Sequence, residues 1–87
     1  MHLRYQYETM KIVDMVVAVP VGDGTENVKS ILKLNRTAAT IFDLLKEETS
    51  EEQIVETLMK QFDVSRETLM RDVHLYIEEF RKRNLIV

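Results

Sequence analysis

The 87-residue chain has no cysteine and no tryptophan, one proline and two glycines. Without cysteine there is no disulfide framework, no thiolate metal site and no cysteine nucleophile. So little glycine and proline excludes collagen-like or low-complexity character. No apolar run approaches the roughly 18–20 residues that a membrane-spanning helix needs. The opening MHLRYQYETM lacks the apolar core of an export signal, so the cytoplasm is the expected compartment and no membrane partner is expected. What is present is 45% hydrophobic and 31% charged, the mixture of one small folded domain over residues 1–87. A domain of this size has a thin core. Few buried positions are free to hold unpaired catalytic groups, which favours binding over catalysis.

Twelve Lys and Arg stand against fifteen Asp and Glu, a formal net charge of -3. Positive and negative residues balance through Asn35, and the acidic excess follows it. Duplex binding rests on clustered positive charge that offsets phosphate repulsion. The acidic balance argues against a nucleic-acid partner.

The first 34 residues read as strands and the rest as helices. Residues 7–13 alternate, and 15–21 (MVVAVPV) is apolar and rich in β-branched side chains that suit a pleated surface. Asp14 between them suits a tight turn. Residues 22–27 (GDGTEN) form the clearest loop. Alternation resumes over 28–34, with Ser30, Leu32 and Leu34 on one side and Lys29, Ile31 and Lys33 on the other, more exposed one. The product is a three-stranded antiparallel meander.

The period changes at Asn35, which caps a helix over 36–46 with Ala38, Ile41, Phe42 and Leu45 inward. Ser50 with Gln53 forms a capping box for a second helix over 51–61. Ser65 starts a third over 66–83, with Leu69, Val73, Tyr76, Ile77 and Phe80 inward. Asn84 ends it, and residues 85–87 pack back or add a short strand. The fold class is α+β: an N-terminal three-stranded sheet followed by three helices, the last two joined like a helix-turn-helix.

Catalytic chemistry finds no foothold. The only histidines are His2, in a terminus expected to fray, and His74, with no second nitrogen placed to complete a metal set. Ser50 and Ser65 are explained as caps, and no serine has a histidine at predictable reach. Glu47, Glu48, Glu51 and Glu52 surround a helix start, where negative charge is stabilising. Neither catalytic residue, metal nor cofactor is expected.

The arrangement does offer a partner an edge. If residues 28–34 form an outer strand, their free N–H and C=O groups can pair with an extended peptide, and the long third helix can wall the cleft. On that reading the peptide-binding residues are Lys29, Ser30, Ile31, Leu32, Lys33 and Leu34 on the strand. Arg66, Met70, His74 and Ile77 belong to the helix wall. The bland alternative is an edge guarded by lysines against aggregation. Self-pairing of two chains through the same edge would give a homodimer.

Several runs together resemble a known family. They are Val19-Pro20-Val21-Gly22, the stretch LKLNRTAATIFDLL over 32–45, TSEEQIV over 49–55, Phe62-Asp63-Val64, Asp72-Val73 and YIEEF over 76–80. In order and spacing they are similar to the coenzyme PQQ synthesis protein D (PqqD-like) family. Phe42 stands where that family often has tryptophan, and Asn84 replaces a frequent glycine. The resemblance implies a winged-helix-like, noncatalytic recognition domain for ribosomally made peptides. Such a domain binds the leader of a precursor peptide as an added strand between the third strand and third helix. It presents that precursor to a modifying enzyme, often a radical SAM enzyme. The competing expectation is a winged-helix module that binds DNA or serves transcription regulation. There, however, the wing strands follow the recognition helix, whereas here the strands come first.

Overall fold

The computed structural model describes residues 1–22 and 31–87. Most of the loop expected over 22–27, the start of the third strand, and the site candidates Lys29 and Ser30 lie outside the described residues.

β1 (Gln6–Ile12) and β2 (Met15–Val21) form an antiparallel hairpin, paired from Gln6↔Val21 to Ile12↔Met15. Val13 and Asp14 make its turn. Val13 holds φ at 56°, a left-handed conformation that a β-branched side chain disfavours. β3 (Leu32–Leu34) pairs antiparallel with the other side of β2, placing Ala18 opposite Leu32 and Val16 opposite Leu34. The order β1-β2-β3 leaves β3 outermost. The sheet's inner face carries Tyr7, Ala18, Leu32 and Leu34 into the core, all buried.

Each of the three helices starts at the expected cap. Asn35 Oδ1 accepts from the Ala38 amide at 2.8 Å and opens α1 (Arg36–Leu44). Ser50 Oγ accepts from Gln53 at 3.2 Å and opens α2 (Glu51–Gln61). Ser65 Oγ accepts from Thr68 at 3.3 Å and opens α3 (Arg66–Lys82). These bonds satisfy amides that the helix itself leaves without partners. α1 stops two residues short of the expected Lys46, where the Leu45 amide turns to the carbonyls of Ile41 and Phe42. α3 closes as a Schellman motif. The Leu85 amide reaches Phe80, the Asn84 amide reaches Arg81, and Asn84 takes φ 61°. Asn84 thus fills a position that glycine most often occupies.

The inward stripes of the helices meet around Phe42, which is fully buried. Tyr7 stands edge-on to it at 4.9 Å between ring centres and Phe80 at 6.0 Å. The Tyr7 hydroxyl is buried without a hydrogen-bond partner among the described residues, and burial raises its pKa above the ordinary 10.0.

One expectation is overturned at the N-terminus. His2 is tied rather than frayed: its amide and carbonyl bond Val87, and Leu3 bridges Ile86. The Met1 α-amino group and His2 Nδ1 both meet Glu48 in the turn after α1. Residues 85–87 therefore pack back onto the first residues, with an isolated bridge instead of a full strand.

Candidate functional site

β3 is an edge strand. β2 occupies one side of it, and no other strand of the described residues pairs with the second side. Leu32 and Leu34 point inward and are buried, while Ile31 and Lys33 point outward and are exposed. The strand is therefore anchored by alternate side chains, and half of its backbone groups line an open rim. Such a rim templates a further strand.

α3 has two flanks beside its buried stripe. One turns to α2. Arg66 bonds Glu56 there, which raises the pKa of the guanidinium, and it approaches Met59 Sδ at 3.6 Å. His74 Nδ1 lies 2.9 Å from Glu51 Oε1 on the same side. Met70, half-exposed, sits one turn from each on that surface. Ile77 belongs to the stripe itself and is 0% exposed, so it presents nothing to a guest. Of the expected helix wall, Ile77 thus lies in the core, and Arg66 and His74 turn to the α2 side with Met70 between them.

The other flank carries Asp72, Leu75, Tyr76 and Glu79. With Thr37 of α1 these residues line a cavity of about 450 Å³. Its tie to the strand end is explicit: the Asn35 side-chain amide donates to the Tyr76 hydroxyl at 3.1 Å, and Asn35 directly follows β3. Leu75 is 62% exposed, a large apolar side chain standing in water at the lip. Sequence reasoning missed this flank, although a signal was present. Residues 72, 75, 76 and 79 repeat at the i, i+3, i+4, i+7 spacing of a helix face, and Leu75 falls outside the core stripe.

A second concavity, of about 720 Å³, opens on the far side of the same rim. Ile12, Met15, Val17, Lys33 and Leu34 line it, so its walls are mainly apolar. Among the described residues no group of three or more His, Asp or Glu stands where it could hold a metal ion. No helix of the described residues is long and apolar enough to cross a membrane.

An outer strand rim beside a long C-terminal helix, in a three-strand, three-helix chain, is the arrangement that the family resemblance implies. Residues 16–86 match the family described as Coenzyme PQQ synthesis protein D (PqqD). The chain belongs to the PqqD family. Its fold is the α+β arrangement expected from the residues, winged-helix-like as the resemblance implies. Among solved structures, TbiB1 in complex with the TbiA(beta) leader peptide has the same fold. Its TM-score is 0.73 at 24% sequence identity, over 98% of this chain and 93% of that one. No curated protein sequence matches this PqqD-family chain. PqqD-like adaptors are noncatalytic, and this chain is a binding protein of that kind.

Proposed function

We propose that this PqqD-family chain acts as one recognition domain over residues 1–87 and binds the leader region of a ribosomally made precursor peptide by strand addition. The guest pairs its backbone with the open rim of β3, from Ile31 to Leu34, and lays side chains along the Asp72–Glu79 flank of α3. The observation that carries this reading is a rim of β3 that no other strand pairs with among the described residues, its end linked to the α3 flank by the Asn35–Tyr76 hydrogen bond. TbiB1, whose fold is shared, is a leader-peptide complex, which supports the same class of guest. Main-chain bonds supply affinity in such a mode, and side-chain pockets supply selection. The bound precursor is then presented to a modifying enzyme, of the radical SAM class in this reading, in the cytoplasm where precursors are made.

The duplex-binding alternative gains nothing from the geometry. Arg66, Arg71, Arg81 and Arg83 are each paired with a carboxylate, Glu56, Asp72, Glu78 and Glu79 in turn, so α3 presents no unpaired cluster of positive charge among these residues. Carboxylates there repel phosphate.

The test uses a leader peptide that binds the chain, methylated in turn at each backbone nitrogen. Strand addition predicts affinity lost at every second position, because alternate amides face the rim. Uniform indifference to methylation would overturn the reading.

A further inference from the structure

An antiparallel sheet with one face on the core normally turns polar side chains to water on the other. This sheet does not. The register sets Ile12 beside Met15, and Met10 beside Val17 with Lys33 across from it, all on the outer face. Val19 follows along β2, and Ile31 stands at the head of β3. Met10, Ile12, Met15, Val19 and Ile31 each expose between 41% and 66% of their surface. The patch is on the order of 400–500 Å², in the range of the largest apolar patch on a monomer, which is often functional.

Two charges border it, on opposite sides. Glu8 lies on β1, opposite Val19, and Lys33 lies on β3, opposite Val17. Among the described residues neither forms an ion pair. This placement is self-complementary. A two-fold axis running parallel to the strands lays β1 of one copy over β3 of the other. Each Lys33 then faces the partner's Met10 with the partner's Glu8 one step along the strand, and the contact repeats symmetrically. A two-fold axis across the strands would instead set Glu8 against β1 and Lys33 against β3, with like charges together.

We infer that two copies of this chain pack outer sheet face to outer sheet face about the first axis, with two Glu8–Lys33 ion pairs closing the border. Sheets packed this way lie about 10 Å apart with their strands turned by about 30°. Burying that patch on both copies removes roughly 800–1,000 Å² of apolar surface in total, which with the polar border falls at the low end of specific interfaces. The contact uses the face of the sheet and leaves the rim of β3 open.

Sedimentation equilibrium of the full chain tests this. The wild type is expected to show a dimer mass at high micromolar concentration. Met10→Lys sets a cation against the partner's Lys33 and is expected to weaken the dimer at least about tenfold with an unchanged circular dichroism spectrum. Glu8→Lys and Lys33→Glu, each monomeric alone, are expected to dimerise when mixed, because only the mixed pair restores both ion pairs. A wild type that stays monomeric overturns the inference, including the case where its outer face is covered instead by another protein. A dimer indifferent to Met10→Lys also overturns it, and charge variants that fail to rescue each other overturn the two-fold arrangement.

Discussion

The Asn35 side chain performs two tasks at once: its oxygen caps α1 at 2.8 Å from the Ala38 amide, and its nitrogen donates to Tyr76 at 3.1 Å. One residue therefore joins the end of the rim strand, the start of α1 and the outer flank of α3. The end of the strand is thereby tied to the helix flank by an exposed hydrogen bond between two side chains.

That geometry separates the two flanks of α3 experimentally. Leu75→Asp is expected to lower leader affinity about tenfold, or roughly 1.4 kcal/mol, because it places a charge on the flank proposed to receive the guest. Arg66→Ala, on the α2 side, is expected to leave affinity within about twofold while loosening α2 slightly. Fluorescence anisotropy titration reads both. The opposite ranking would return the guest to the Arg66–His74 side.

Tyr7→Phe is expected to be neutral or stabilising, by up to about 1 kcal/mol, because the buried hydroxyl has no partner to lose. Phe42→Ala, by contrast, empties the centre of the aromatic cluster and is expected to cost about 3–5 kcal/mol. Urea unfolding followed by circular dichroism measures each. A marked destabilisation by Tyr7→Phe would show that the hydroxyl is bonded in solution.

Two left-handed positions predict opposite outcomes. Val13→Asn at the hairpin turn is expected to raise stability by about 1 kcal/mol, since asparagine tolerates φ 56° and valine resists it. Asn84→Val puts the same strain into the α3 terminus and is expected to lower the thermal midpoint. Equal midpoints for all three chains would contradict the assigned turn and cap.

Acid should loosen the terminal staple. The Met1 amino group and His2 hold the Glu48 carboxyl below its ordinary 4.5, hydrogen bonds first and charge second. A carboxyl depressed in the folded state contributes stability above its unfolded pKa and loses it as pH falls through the folded value. Stability is therefore expected to fall below about pH 4.5, with fraying of residues 1–3 and 85–87. Glu48→Gln should remove that part of the acid dependence. Amide exchange at His2 and Val87 against pH is the measurement, and an identical acid limb in wild type and variant would contradict it.

The order of strands and helices, the caps at Asn35, Ser50 and Ser65, and the inward stripes from Ala38 to Phe80, apart from the partly buried Tyr76, were legible in the chain. These are local properties. A capping side chain bonds an amide three residues away, and strand and helix periods sort side chains into faces without reference to the rest of the molecule. The buried Leu32 and Leu34 with the exposed Ile31 and Lys33 follow from the same alternation.

The helix wall of the site followed a different rule. Periodicity sets the angle between Arg66–Met70–His74 and Asp72–Leu75–Glu79 around α3, but it says nothing about which neighbour each flank meets. That depended on how α2 packs against α3, which directs Arg66 and His74 to Glu56 and Glu51 and leaves Tyr76 for Asn35. The docking of His2 on Val87 is of the same kind, a contact between opposite ends of the chain. Such pairings exist only after the chain has closed on itself, because their partners are neighbours in space and not in sequence.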